Sequence, residues 1–375
     1  MMIKENQQDS EVFQEQIEQT DFSFSNHKCN PNKYLKTLCI IVMVASIFFL
    51  TWFVQRLLMP KYVSDIREGS LIDDYYAEKN HDFDVLILGD CEVYENISTV
   101  TLWQEYGINS FIRGSAKQTV WQSYYILEDS LRFSKPSVVV FNVLSLIYNE
   151  PQNEAYNRMT LDGLQWSPAK AGAVFASMTQ DESFCSYLFP ILRYHDRWRE
   201  LSAEDLEFFW QHPVVSYNGY LMNTGIKPAK NVPEGRVLGD YTFGDNAMDY
   251  LERIRQLCQN KGIRLLLIKA PSLYPYWYDE YEEQIVDYAN AHHLQYINYL
   301  EQMDETGIDY LTDTYDAGLH LNVFGAEKLA SALGNVLSEE YDLSDRRKEE
   351  TLAGKWEQKT RDYLKERDGK ENHSE

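Results

Sequence analysis

Two short stretches of the chain carry residue types that can perform nucleophilic chemistry. Cys91 follows the apolar run at residues 83–88, and His320 lies in the polar stretch 313–322 a few residues after Asp316. A nucleophilic site needs an attacking group, a base within reach, and a third group that orients the base. Cys91 is therefore the candidate nucleophile, His320 the candidate base, and an acidic residue of the second stretch the candidate orienting group.

The position of Cys91 follows from the residues around it. Residues 85–88 are apolar without alternation, which predicts a strand buried on both faces of a parallel sheet. Gly89 allows a sharp backbone turn at the carboxyl end of that strand, where open α/β sheets bind their ligands. A short helix is predicted at 99–106. Cys91 is thus expected between a strand end and a helix start.

Apolar strands and amphipathic helices alternate along the rest of the chain. Further strands are predicted at 108–112, 138–143, 263–268 and 295–299, and further helices at 119–132, 248–258, 280–290 and 325–337. This alternation predicts an α/β domain with a parallel sheet and right-handed crossovers. Residues 147–244 break the pattern and are rich in aromatics, which predicts a long insertion that forms a lid or a wall of the site.

One segment near the N-terminus is apolar enough to cross a membrane. Residues 38–54 carry no charge and span roughly 25 Å as a helix, while Lys36 and Arg56 flank them and can snorkel. A buried core helix would show a polar stripe, and a cleaved signal peptide would show a small-x-small exit. We therefore predict a transmembrane signal anchor at 34–59.

The remaining segments are assigned by composition. A disordered cytoplasmic tail is predicted at 1–33, a connector at 60–82, and a charged helical tail at 344–375, where a solvated helix is expected. Basic residues are equally frequent on both sides of the anchor, so the charges do not fix its orientation. A short N-terminal tail and a large C-terminal domain favour a single-pass protein of the cell membrane with an extracellular C-terminal domain.

Charge and cysteine content exclude several classes of protein. The formal net charge of −23 argues against a nucleic-acid partner, because binding to phosphates requires a basic surface. The five cysteines are scattered and form no Cys-x-x-Cys pair, so neither a disulfide framework nor a zinc site is expected. We expect no metal and no cofactor. A thiol redox role is disfavoured, because no resolving cysteine lies near Cys91 in the sequence.

Four blocks, taken together, resemble a known superfamily. GDCEVYENIS after the first strand, RGS after the second, FNV in the third and DAGLHLN near the C-terminal end resemble the blocks of the SGNH (GDSL-type) hydrolases. More closely, the chain resembles membrane-anchored SGNH-like proteins of Gram-positive bacteria, akin to D-alanyl-lipoteichoic-acid assembly proteins and polysaccharide O-acetylation proteins. LFPILRYHDRW and IKAPSLYPYW are further matches. The resemblance implies a three-layer, parallel-sheet SGNH-hydrolase-like domain at 83–343, behind one N-terminal transmembrane helix.

The resemblance also implies roles for individual residues. Cys91 stands at the position of the nucleophilic serine, His320 matches the base, and Asp316 matches the orienting acid. Gly114 and Asn142 match the two oxyanion-hole positions.

The sequence departs from the family pattern in two places. The nucleophile is Cys rather than Ser, and three residues instead of two separate Asp316 from His320. Gly318 could absorb the extra residue as a bulge, or Asp313 could be the true partner of the histidine. A helix N-terminus and a nearby histidine would lower the pKa of the Cys91 thiol, whereas neighbouring carboxylates would raise it. The sequence does not rank these effects.

Two functions remain in view. The first is a membrane-tethered acyl esterase or acyltransferase that uses a Cys nucleophile on a cell-wall or exported polysaccharide. By resemblance, its partners are an acylated polysaccharide or acyl donor and a membrane-bound O-acyltransferase. The alternative is a catalytically inactive SGNH-fold module that binds the polymer or scaffolds the acyltransferase.

Overall fold

Five parallel strands form one sheet in a computed structural model of the chain, which describes residues 31–63, 66–230, 232 and 234–371. The strands are β1 (Val85–Gly89), β2 (Ser110–Gly114), β3 (Val138–Asn142), β4 (Arg264–Lys269) and β5 (Gln295–Asn298). Their order in the sheet is β2-β1-β3-β4-β5, and every neighbouring pair is parallel. The predicted α/β class with a parallel sheet is confirmed. The order reverses between β1 and β3, and ligand crevices of open α/β sheets lie at such a reversal.

Fifteen helices and three 3₁₀ turns are found in the described part of the chain. The helices are α1 (Pro31–Leu58), α2 (Leu71–Ala77), α3 (Cys91–Tyr94), α4 (Thr99–Tyr106), α5 (Val120–Ser130), α6 (Glu154–Leu161), α7 (Pro168–Ser177), α8 (Phe184–Leu188), α9 (Ile191–Tyr194), α10 (Ala203–Glu207), α11 (Asp245–Lys261), α12 (Asp279–His292), α13 (Met303–Thr306), α14 (Val323–Glu339) and α15 (Glu350–Glu371). The 3₁₀ turns are Arg67–Ser70, Val143–Ile147 and His195–Arg199. Helices α6 to α10 belong to the insertion.

Helices cover both faces of the sheet. Alternate residues of β1 point to opposite sides, so that Val85 and Ile87 join one hydrophobic cluster and Leu86 and Leu88 join the other. Residues of α4, α14 and α15 complete the first cluster, and residues of α2, α5, α7, α11 and α12 complete the second. Burial on both sides explains why these strands read as continuous apolar runs in the sequence.

The predicted strands agree with the observed ones closely, with β2 as the largest difference. Its predicted start was residue 108, but the strand begins at Ser110. The reason is the end of α4, where Gly107 adopts a left-handed conformation with φ of 69° and the N–H of Ile108 donates to the carbonyl of Leu102. This C-terminal capping motif uses Ile108, so the strand starts later.

The apolar segment near the N-terminus forms α1. Its residues Asn32–Leu58 make a helix that is long and apolar enough to cross a membrane, as the sequence predicted. Residues up to Val54 form one compact unit, and Gln55–Glu375 form the other. Residues 31–33 of the predicted disordered tail belong to the helix, and the rest of that tail lies outside the described residues.

The C-terminal helix α15 packs on the domain more closely than its charged sequence suggested. Trp356 and Tyr363 are buried, although a solvated helix was expected here. The Trp356 ring stacks on Trp103 of α4 with centroids 5.4 Å apart, and its Nε1 donates to Asn109 Oδ1 at 3.0 Å. The two buried residues are seven positions apart and so lie on one side of the helix.

We expect Trp356→Ala to lower the free energy of unfolding by about 3–5 kcal/mol, because it opens a cavity against α4 and leaves Asn109 without this donor. Chemical denaturation of the full chain in detergent measures the effect. Trp166, which is 44 % exposed, provides the control, and its replacement by Ala should cost about 1 kcal/mol or less. Equal losses in the two variants would contradict the packing of α15.

Candidate active site

Cys91 lies at the carboxyl end of β1, as predicted, and is the first residue of α3. A close approach of the chain fixes this turn, since a Cβ on Gly89 would lie 2.9 Å from Cβ of Asn142 and 3.0 Å from the Val93 side chain. The Asp90 carboxylate then caps α3 by accepting the N–H of Glu92 at 3.2 Å. As a whole residue, Cys91 is intermediate in exposure. This edge of the sheet is the reversal point between β1 and β3.

His320 is held by Asp316. Its Nδ1 lies 2.7 Å from Asp316 Oδ2, and its backbone N–H donates to Asp316 Oδ1 at 2.8 Å. The imidazole is 9 % exposed, and its Nε2 is buried with no hydrogen-bond partner. The Asp316 contact favours the tautomer with the proton on Nδ1, which leaves a lone pair on Nε2. The histidine therefore presents a buried, unused basic nitrogen.

The extra residue between Asp316 and His320 is absorbed by a left-handed turn. Ala317 has φ of 71° and Gly318 has φ of 102°. Thr314 stabilises the turn, because its Oγ1 accepts the N–H of Gly318 at 2.8 Å and its hydroxyl donates to the carbonyl of His320 at 2.7 Å.

Asp313 is held elsewhere. Its Oδ2 lies 2.6 Å from Lys328 Nζ. Of the two acids left open by the sequence, it is Asp316 that contacts His320. Asp316, and not Asp313, is therefore the acid that orients the imidazole of His320.

Asp316→Asn should lower kcat/KM for ester turnover by roughly a hundredfold or more, because an amide holds the imidazole less firmly in the required tautomer and does not stabilise its positive charge. Asp313→Asn is the matched control. It removes the ion pair to Lys328, and its effect should fall on stability rather than on turnover. Steady-state kinetics of the two variants on an acetyl ester test this assignment, and an equal loss of turnover in both would contradict it.

A second carboxylate beside the histidine was not predicted. Glu95 Oε2 lies 3.5 Å from His320 Nδ1 and accepts the hydroxyl of Tyr315 and, at 3.4 Å, the Nδ2 of Asn223. Burial raises the pKa of Glu95 to about 7, while His320 and Tyr315 oppose the shift. The sequence did hold a clue to Glu95: it lies four residues after Cys91, and residues i and i+4 share one side of a helix.

Glu95 and Asp316 together raise the pKa of the histidine. Burial lowers the pKa of His320, but the hydrogen bond that its Nδ1–H donates to Asp316 and the charges of Glu95 and Asp316 outweigh burial, so the net shift is upward. A base must be neutral to accept a proton, so a raised pKa moves the acid limb of a pH–rate profile to higher pH.

Glu95→Gln should therefore lower the pKa of His320 and move the acid limb of kcat/KM to lower pH, by about half a unit or more. The pH dependence of ester turnover measures the shift. Glu105 of α4, which is exposed and accepts a hydrogen bond from Ser331, supplies the control Glu105→Gln. A limb that stays in place in Glu95→Gln, or moves to higher pH, would contradict the influence of Glu95 on the histidine.

A buried ion pair lies beneath Cys91 and was also missed. Glu92 and Lys269 are 1 % and 0 % exposed, and Lys269 Nζ lies 2.9 and 3.0 Å from the two Glu92 oxygens. The hydroxyl of Ser272 donates to Glu92 as well. The lysine is the last residue of β4 and the glutamate is the second residue of α3, so this pair joins β4 to the turn that carries Cys91. A lysine at the end of an apolar strand suggested a buried charge, but the sequence could not identify its partner, which is 177 residues away.

The two predicted oxyanion residues lie at the same edge. Asn142 ends β3, and Gly114 ends β2 opposite Gly89. The carboxamide of Asn142 is already engaged: its Nδ2 donates to Glu92 at 2.9 Å and to Asp90 at 3.4 Å, and its Oδ1 accepts the N–H of Ala270. In this arrangement the amide stabilises carboxylates of the turn rather than pointing a free donor into solvent.

Burial, reinforced by nearby carboxylates, disfavours the thiolate form of Cys91. Burial raises its pKa well above the ordinary value, and the charges of Asp90, Glu95 and Glu92 add to that shift. Burial and Glu92 also raise the pKa of Asp90, to about 7. The sequence did not rank the helix N-terminus and the histidine, which favour the thiolate, against the carboxylates, which disfavour it. In the structure the effects that disfavour the thiolate are the larger. Cys91 is therefore a thiol at neutral pH and, like a serine hydroxyl, would need a base during attack.

The thiol and the imidazole are not hydrogen-bonded to each other in this structure, because His320 Nε2 has no partner. Both lie within the electrostatic influence of the same carboxylate, since the charge of Glu95 raises the pKa of Cys91 and of His320. Across the described residues, no group of three or more His, Cys, Asp or Glu side chains is placed to hold a metal ion.

The sequence matches no protein-family model, and no curated protein matches it.

Proposed function

We propose that the chain is a membrane-tethered, SGNH-type acyl esterase or acyltransferase with Cys91 as its nucleophile. The observation that carries the proposal is the buried and unpartnered Nε2 of His320, whose other ring nitrogen is held by Asp316. The strand order β2-β1-β3-β4-β5, with Cys91 directly after β1, is consistent with the superfamily that the sequence blocks resemble.

The reaction would proceed in two steps, acylation of Cys91 and then deacylation. In the first, Cys91 Sγ attacks the carbonyl carbon of an ester while His320 Nε2 accepts the thiol proton. The C–O bond of the ester then breaks, and the leaving hydroxyl takes the proton from His320. In the second step, His320 removes a proton from water or from an acceptor hydroxyl, whose oxygen attacks the thioester. The C–S bond of the thioester then breaks, Cys91 Sγ takes the proton from His320, and the acyl group is released as the acid or transferred to the acceptor.

Oxyanion stabilisation falls to Gly114 and Asn142 in this proposal. Asn142 must then exchange a hydrogen bond to Glu92 or Asp90 for one to the developing oxyanion. Protonation of Asp90 near pH 7 would favour such an exchange, because a neutral acid holds the amide less strongly.

The substrate and location follow from the resemblance together with α1. A cell-wall or exported polysaccharide with ester-linked acyl groups is the proposed substrate, with a membrane-bound O-acyltransferase as the proposed partner. The C-terminal domain would be extracellular, and α1 would anchor it to the cell membrane.

A second candidate is a catalytically inactive module that binds the polymer or scaffolds the acyltransferase. Two observations favour it: three carboxylates oppose ionisation of Cys91, and the donors of Asn142 are occupied. A site that no longer catalyses a reaction would tolerate both a cysteine that resists ionisation and an asparagine whose donors are occupied.

Turnover of an acetyl ester separates the two functions. The full chain in detergent is compared with Cys91→Ala and Cys91→Ser. Under the first proposal, wild type hydrolyses the ester and Cys91→Ala is inactive. Activity that appears only in Cys91→Ser would indicate a lapsed enzyme and favour the binding module. Equal turnover by wild type and Cys91→Ala would exclude Cys91 as the nucleophile.

A further inference from the structure

Part of the insertion exposes an unusual amount of apolar surface. Trp198 is 61 % exposed and Trp210 is 72 % exposed. We use the name insertion surface for these two residues together with Phe189, Leu192, Leu206 and Val214, all of which are exposed. All six lie between residues 189 and 214, and exposed apolar patches of this kind mark contacts with a partner or a membrane.

The insertion surface is fastened to the residues that follow the apolar segment. Residues 55–59 belong to the same compact unit as the α/β domain. Arg197 Nη1 donates to the carbonyls of Leu58 and Met59 at 3.2 and 3.1 Å, and its Nη2 donates to Asp205 at 2.7 Å. The last carbonyls of a helix have no partners within it, so this guanidinium caps the end of α1.

Two aromatic rings of the same segment reinforce the attachment. The guanidinium of Arg56 lies 5.7 Å from the ring centroid of Phe208 and 5.9 Å from that of Phe209. Stacking of this kind adds a modest attraction to the cap. Trp198 and Trp210 each directly follow a residue that makes these contacts, so they lie close to the point where the apolar helix ends.

We propose that the insertion surface rests in the headgroup layer of the bilayer that α1 crosses. Tryptophan prefers this layer, because the layer solvates the apolar ring and the polar N–H edge of the side chain at the same time. The proposal rests on membrane insertion of α1.

The charge of the segment indicates which kind of lipid contact this is. Residues 188–214 contain three arginines and five Asp or Glu residues, a formal balance of −2 with His neutral. Such a segment gains nothing from anionic lipids, since attraction to them requires a basic excess. The contact should therefore be apolar and should form on zwitterionic lipid.

Quenching of tryptophan fluorescence by brominated lipids tests the proposal. The full chain is reconstituted in phosphatidylcholine vesicles whose acyl chains carry bromine close to the headgroups. Trp52 lies within α1 and would itself be quenched, so the comparison uses Trp52→Phe as its background. Trp198→Phe and Trp210→Phe are added together in one variant, and Trp166→Phe is added alone as the control.

We expect Trp52→Phe to retain quenching, the added pair to remove at least about half of it, and the Trp166 control to leave it unchanged. The same values are expected when part of the lipid is phosphatidylglycerol. Quenching that disappears with Trp52 alone, that the pair does not reduce, or that requires phosphatidylglycerol would overturn the inference while leaving α1 in the membrane. No quenching in wild type would overturn insertion of α1 and this inference together.

Discussion

Replacing His320 with alanine is expected to lower kcat/KM for an acetyl ester by roughly 10²–10⁴-fold, the range that a positioned base contributes. The effect should be large because the pKa of Cys91 is raised by burial and by three carboxylates, so little thiolate is present without a base. An enzyme whose cysteine ionised without a base would lose less of its kcat/KM when the histidine is replaced. Steady-state kinetics of the full chain in detergent provide the measurement.

His292 is the control for this loss. It lies on α12, it is partly exposed, and its Nε2 is 3.9 Å from Glu252. His292→Ala should retain wild-type kcat/KM. Turnover by His320→Ala within a few-fold of wild type would contradict the role of Nε2 as the base, whatever its position in the structure.

The second large effect concerns stability. Lys269→Met should lower the free energy of unfolding by about 3–5 kcal/mol, because it leaves the Glu92 carboxylate buried without its cation. The remaining donors, Ser272 and Asn142, are neutral and compensate only in part. Chemical denaturation at neutral pH measures the loss.

Two further variants separate the buried charge from the packing of the lysine. Glu92→Gln combined with Lys269→Met should recover most of the lost stability, since no unpaired charge then remains. Arg361→Met breaks a pair with Glu357 in which both side chains are more than half exposed, and should cost about 0.2–1 kcal/mol. A double variant as unstable as Lys269→Met alone would assign the loss to packing instead.

Local patterns account for the parts of this structure that the sequence predicts well. β1 and β3 are short, apolar runs, and the Cys91 turn and the Asp316–His320 turn are each contained within a few residues. Their order along the chain and the alternation of strands and helices suffice to predict that both turns are associated with a parallel sheet.

Features that depend on the approach of distant residues were not predictable. Glu92 and Lys269 meet only because β1 and β4 flank β3, and Asn142 turns its amide to the same carboxylate. The burial of Trp356 depends on a matching surface on α4, which the dense charges of α15 conceal. The pKa of Cys91 likewise depends on how many carboxylates the fold brings near it.

The central claim is that Cys91 carries the acyl group during turnover. The most direct test is mass spectrometry of the full chain after a brief reaction with an activated acetyl ester, followed by peptide mapping of wild type and Cys91→Ala. The account predicts one acetyl group on the peptide that contains Cys91, which hydroxylamine removes and which Cys91→Ala lacks. Turnover by wild type with acetylation only at another residue, or with the same acetylation in Cys91→Ala, would contradict it.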